Sequence, residues 1–347
     1  QVFGLGPRSF QAVEVSVLPE ADALRLLADF QPEHRFANEA EEAAARQIAQ
    51  ALGGYTLAVE LVGAYLGARA AEGYQPSHYL PRLQQQGLTQ VDLLAGETQV
   101  AGQIRHSAVV AENHIATLVA WSVDRLSAPA RSALRYASLM MPDEIPLVWL
   151  KTMAQAKHPE ALAEVEGAPD PWIAVWQELR GLRLLHPAQE MEVEVDDRGL
   201  EKMPQTVRLH RLVAQHVTAA DEDGDGSYSV VEQFLYGMAD LFEQQVGKGE
   251  DGWLRAQHGW LRDQLEHQIS PAAALAPTAR ILQSAQVAAD FEGRHLSLVR
   301  ALGLTERILA AQEKLLAADA DSADLARDVS VSLNKLGDYY AARGAEG

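Results

Sequence analysis

The stretch Leu52-Gly53-Gly54-Tyr55-Thr56-Leu57-Ala58-Val59-Glu60-Leu61 constrains the fold of this chain more than any other. A helix-terminating glycine pair is followed almost without a gap by a segment, about Thr56 to Ala71, that is apolar nearly all round. Such a helix has no face to give to water, so it belongs at the buried centre of a small helical domain. The preceding segment, about Asn38 to Leu52, sets Ala44, Ile48, Ala51 and Leu52 on one face and stops at the glycines, which serve as its C-terminal signal. Ahead of it, Leu24, Leu27 and Ala28 form a helical stripe behind Pro19, read as a first helical position. Val13, Val15 and Val17 alternate with Glu14 and Ser16 and predict a strand. A fourth helix is expected around His78 to Gln86, ending before Gly87.

Further along, the stretch 95–115 reads as a linker. Ser127 is an N-cap for a helix that turns Ala130, Leu134 and Ala137 inward. A second helix follows Pro146 and a third covers Pro171 to Leu182. Met191, Val193 and Val195 then alternate with Glu192 and Glu194, Asp196-Asp197-Arg198-Gly199 supplies a turn, and Val207 and Leu209 alternate with Arg208 and His210. This predicts a hairpin. Three helices, a β-wing and another helix read as a winged-helix domain. After about residue 228 the pattern is helical to the end, punctuated by Pro271 and Pro277.

The formal net charge of −19, from 29 basic and 48 acidic residues, repels phosphate backbones and anionic membranes. Zero cysteines exclude disulfides and thiolate metal sites and suit a reducing cytoplasm. The longest apolar stretch, Tyr55 to Leu66, carries Glu60 and is too short to span a bilayer.

Two motifs resemble those of signalling NTPases of the STAND class with NB-ARC-type modules. Leu52-Gly53-Gly54-Tyr55-Thr56-Leu57-Ala58 is similar to the family's "GLPLA" element, which touches adenine; the resemblance makes Gly54, Tyr55, Thr56 and Leu57 candidates for an adenine-facing edge, with Thr56 where the family usually has proline. Leu209-His210-Arg211-Leu212-Val213 resembles the "MHD" element, whose histidine donates to the β-phosphate of ADP, with Arg211 in place of the aspartate. An imidazole donor beside a helix N-terminus suits an anion. Read without the family, Gly53-Gly54 is a helix stop and His210 a helix cap. The tail Leu333, Leu336, Gly337, Tyr340 and Gly344 resembles the first helix of a tetratricopeptide repeat.

The resemblance implies a mainly α-helical chain: the end of a nucleotide-binding domain at 1–17, a helical ARC-type domain at 18–105, a winged helix at 106–222, and a helical arm at 223–347 leading into repeats. It implies an upstream nucleotide-binding domain as partner, other protomers on activation, and a protein or small-molecule ligand sensed by downstream repeats. ADP or ATP would be the cofactor of the parent protein. No Walker A or Walker B element is present, so no catalytic centre is expected in this chain. The alternatives are a transcription regulator that uses the winged helix on DNA, and an interaction scaffold with a calcium-set hinge.

That last alternative rests on Asp221 to Glu232, which fits an EF-hand calcium loop. Asp221, Asp223 and Asp225 stand at positions 1, 3 and 5, Gly226 at 6, Ser227 at 7, and Glu232 at 12 for bidentate binding. The competing reading is an acidic, glycine-rich linker. Gly247, Gly249 and Gly252 form a GxGxxG that follows a helix rather than a strand and is read as a loop.

Overall fold

A computed structural model of the chain describes residues 17–84, 115–189, 203–220, 224–245, 251–273 and 275–345. It is mainly α-helical, with one small three-stranded sheet followed by further helices. The chain divides into two compact units, Gln1–Val119 and Ala120–Gly347. Among the described residues no helix is long and apolar enough to cross a membrane.

In the first unit α1 (Glu20–Asp29) packs against α2 (Glu39–Ala51) and α3 (Thr56–Arg69), and α4 covers 76–84. Pro19 stands one position before α1, as its N-cap. Asn38 caps α2, its Oδ1 accepting from the amides of Ala40 at 2.9 Å and Glu41 at 3.0 Å. The centre is α3, where every residue from Leu61 to Leu66 is buried. Gly63 lets α1 approach closely, because a Cβ there would lie 2.4 Å from the Phe30 ring. Ser77 at the start of α4 donates its amide and hydroxyl to Glu41, which satisfies an orphan helix-terminal N–H from a neighbouring helix.

The glycine corner between α2 and α3 is built by backbone bonds. Gly53 N–H donates to the Gln50 carbonyl and Gly54 N–H to that of Ala49, a C-terminal cap with both glycines at positive φ, +62° and +69°. Gly54 then accepts from the Leu18 amide at 2.8 Å. A Cβ on Gly54 would stand 2.4 Å from the Leu18 carbonyl oxygen, whereas one on Gly53 would meet only the Tyr55 ring at 3.4 Å. The corner therefore pins the entering chain, and only the second glycine is sterically obligatory.

The second unit is organised around α6 (Ala128–Ser138), which contacts α7 (Leu147–Lys157), α8 (Trp172–Gly181), α9 (Arg211–Ala219) and α10 (Gly224–Gln245). A further helix, α5, covers 115–125, of which 120–125 belong to this unit. Ser127 caps α6 as expected, and its own amide donates to Glu178 on α8 at 2.8 Å. Ala130, Leu134 and Ala137 are fully buried. The sheet comprises β1 (Ile145–Pro146), β2 (His186–Pro187) and β3 (Thr206–Arg208), antiparallel in the order β1-β3-β2, with Val207 at its buried centre. Val207 thus pairs with Ile145 and Pro187. The expected hairpin limb at Met191–Val195 and its turn lie outside the described residues, as do the strand residues Val13 and Val15, the stretch 95–114, and Gly247 and Gly249.

The unit continues through α11 (Asp251–Gln268), α12 (Ala279–His295), α13 (Leu298–Ala318) and α14 (Ala323–Ala345). Helices α12 and α13, and α13 and α14, pack pairwise, while α12 also meets α10 and α11. On α14, Leu336 is buried but Leu333 and Tyr340 are half exposed, the Tyr340 hydroxyl donating to Glu306 on α13.

Gly54→Ala should cost at least about 2 kcal/mol, since it combines a strained φ with a backbone clash. Gly53→Ala should cost about 1 kcal/mol from φ alone. Chemical denaturation of the two variants checks the asymmetry, and equal losses would contradict it.

Candidate functional site

Gly54, Tyr55, Thr56 and Leu57 sit together at the α2–α3 corner of the first unit. Gly54 is buried, Tyr55 and Leu57 are half-buried and Thr56 is exposed. Tyr55 occupies the N-cap of α3 without a side-chain cap, and its carbonyl accepts from Val59 N–H at 3.0 Å. The first-turn amides of α3 give this end of the helix the partial positive charge common to helix N-termini. The turn has a complete structural explanation in the Leu18 contact described above.

His210 stands in the second unit, at the junction of β3 and α9. Leu209 is buried, and its amide donates to the Pro142 carbonyl at 2.7 Å, which ends the strand. His210 is the N-cap of α9, in extended geometry, and its Nδ1 accepts from the Leu212 amide at 3.2 Å. That bond assigns the ring proton to Nε2 in the neutral imidazole. The side chain is exposed. Arg211 beside it pairs with Asp143 at 3.1 Å across a solvent-facing contact. The capping role is thus realised at the N-terminus of α9.

Of the acidic segment, Asp221 and Asp223 lie outside the described residues, as does the side chain of Asp225. From Gly224 onward the backbone is the start of α10. A calcium loop would instead curl positions 1 to 9 around one point before its helix begins. Ser227 is buried, and Glu232 accepts from the Thr278 hydroxyl and pairs with Arg280 at 3.9 Å. Thr278 in turn caps α12 by accepting from Ile281 N–H. Glu232 therefore serves the N-terminus of α12, a favourable place for a carboxylate. Among the described residues no group of three or more histidines and carboxylates is placed to hold a metal ion.

The largest polar constellations are ones the sequence motifs did not mark. Glu292 on α12 is fully buried, and its Oε1 accepts from Arg262 Nη1 at 2.7 Å and lies 3.2 Å from His258 Nε2, both on α11. Burial holds the His258 imidazole below its usual range, against the opposing pull of Glu292. The His267 imidazole is lowered by burial and by the nearby Arg211, and that of His158, 2.9 Å from Ser132 Oγ, mainly by burial. A cleft of about 200 Å³ between α12, α13 and α14 is lined by Gln283, Gln286, Asp290, Gln312, Ser332 and Lys335. Its polar groups largely satisfy one another, with Ser332 donating to Gln312, and Lys335 and Tyr339 donating to Asp290. These residues come from separate helices, so no local spacing announces them.

No family model matches the chain, and no curated protein matches it significantly.

Removing Glu292 takes away the partner of Arg262 Nη1 and of His258 in a largely buried setting, while Arg262 Nε and Nη2 keep Asp263. Glu292→Ala should therefore cost about 2 kcal/mol in denaturant unfolding, and Glu292→Gln less. His258 binds a proton less readily folded than unfolded, so its contribution is complete above about pH 6.5 and is lost on acidification. His158 and His267 act in the same direction. Thermal melts should fall from pH 7 toward pH 5, with a smaller fall in His258→Gln.

Proposed function

We propose that this chain is the regulatory portion of an ADP/ATP-switched signalling protein of the STAND class, with a role in defence or signalling. In this reading the first unit carries the ARC-type helical domain, and the second begins with a winged helix and continues as a helical arm toward tetratricopeptide repeats. Nucleotide chemistry belongs to an upstream nucleotide-binding domain, and this chain supplies contacts that hold it closed. A ligand sensed through the repeats would shift the population from the closed to the open state, in which protomers assemble.

The observation that carries the reading is the His210 corner. It follows a helix–strand–helix–helix–strand–strand succession, α6-β1-α7-α8-β2-β3, with the sheet order β1-β3-β2. A winged helix shares that succession, which supports the reading, and His210 stands at the position after the last strand that the resemblance gives to a phosphate-contacting histidine. The Leu212 amide on Nδ1 sets the tautomer that donates from Nε2, as a contact to ADP requires. The Gly54 corner supports the reading through its place in the element order, between two helices and ahead of the buried α3. Against use of this module on DNA, α8 buries Trp172, Val175, Trp176 and Leu179, and its Glu178 is bound to Ser127.

A hydrogen bond to a charged phosphate contributes roughly 1.5–3 kcal/mol. In a protein that joins this chain to its nucleotide-binding domain, His210→Ala should therefore speed ADP release about tenfold to a hundredfold, read by stopped-flow with a fluorescent ADP. Unchanged release would sink the reading. The chain by itself, titrated with ADP in a calorimeter, should give no micromolar binding.

A further inference from the structure

One face of α11 is buried yet not apolar. Gln257, Leu261, Gln264, Leu265 and Gln268 follow one another at helical spacing, and all five are at least nine-tenths buried. The three glutamines do not bond one another. Gln264 Oε1 accepts from Met141 N–H at 2.7 Å while its Nε2 donates to the Glu144 carbonyl at 3.1 Å. Gln268 Nε2 donates to the Leu139 carbonyl, and Gln257 Oε1 accepts from Trp149 Nε1 at 2.8 Å. The turn 139–144 between α6 and β1 is irregular, so its backbone groups need partners from outside. The amides of α11 are those partners.

The same turn holds the end of β3. Pro142, next to Met141, accepts from the Leu209 amide at 2.7 Å, and Asp143 pairs with Arg211. His210 lies between those two anchored residues. The path from α11 to the histidine thus runs through one side-chain-to-backbone hydrogen bond, the adjacent residues Met141 and Pro142, and one backbone–backbone hydrogen bond. We propose that Gln264, flanked by Gln257 and Gln268, is the positioning residue for the His210 corner, so that movement of α11 in the arm is transmitted through the 139–144 turn to the histidine. This deepens the proposed role of His210 as a phosphate contact and rests on it for its regulatory meaning. It identifies α11 as the element by which a signal reaching the arm would loosen the nucleotide contact.

A neighbouring flank of α11 fits such a lever. His258 and Arg262 bond Glu292 of α12, so α11 is gripped by directional polar contacts on two flanks. Apolar packing tolerates sliding, whereas amide and carboxylate contacts specify a distance and an angle. A displacement of α12 is therefore carried to α11 as a definite shift.

The test is hydrogen–deuterium exchange of this chain without nucleotide, resolved by peptide. Gln264→Met keeps the side-chain volume but unbonds Met141 N–H and the Glu144 carbonyl. Exchange should rise about tenfold in both 139–144 and 209–214, with α13 and α14 unchanged. Gln312→Met, an equally buried glutamine of the arm, should loosen α13 and α14 and leave 209–214 as it was. A rise confined to 139–144, an even rise over the whole second unit, or an equal response of 209–214 to Gln312→Met would each overturn the proposal. If Gln264→Met yields no folded protein, Gln268→Met loosens the same turn from Leu139 and is judged by the same pattern. Because the measurement needs no ADP, its failure leaves the nucleotide reading standing, and unchanged ADP release from His210→Ala leaves this coupling standing.

Discussion

The second unit depends on the way α11 is held. Most helix contacts in this chain follow the usual rule of an apolar stripe against an apolar stripe, as at α6 and α3. Helix α11 instead places Gln257, Gln264 and Gln268 toward the sheet-bearing helices and His258 and Arg262 toward α12. A buried amide without a partner is costly, so each of these side chains has one favourable place. The interface loses tolerance and gains register. The arm and the sheet-bearing helices consequently form one compact unit, although the sequence places a glycine-rich acidic segment between them.

Local signals were legible wherever a single residue type has a single structural use. Ser127 and Asn38 announce helix starts through their side-chain acceptors, and both caps are made. The apolar circumference of α3 announces a buried centre, and α3 is buried. The alternation around Val207 announces a strand that lies at the middle of the sheet. By contrast, β1 and β2 are two residues each and each contains a proline, so neither shows a period. Tertiary pairing with β3 makes them strands. The glutamine face of α11 repeats at helical spacing but with polar residues, which a search for apolar periodicity passes over. Glu292 is an ordinary carboxylate in the sequence, and only the arrival of Arg262 and His258 from another helix distinguishes it.

The two family-like motifs each have an intramolecular role. Gly54 is obligatory because Leu18 comes within hydrogen-bonding distance, and His210 caps α9. The proposed ligand contacts would be additional to these roles. A histidine whose Nδ1 is occupied by its own helix is held in one tautomer and one orientation, which is the preparation a donor to phosphate needs. The acidic segment differs, since Glu232 is engaged at the start of α12 and the backbone from Gly224 onward is helical. Its carboxylate acts within the arm, tying α10 to α12 through Thr278 and Arg280.

The bond between Leu18 N–H and the Gly54 carbonyl has a mechanical side. Tension on the chain ahead of Leu18 enters the first unit at the seam between α2 and α3, not along the axis of α1. One hydrogen bond at that seam is a small resistance, and Pro19, which has no amide proton, cannot lend a second. The helices behind it are locked by buried side chains. Under load that one contact at residue 18 would part before the buried helices behind it.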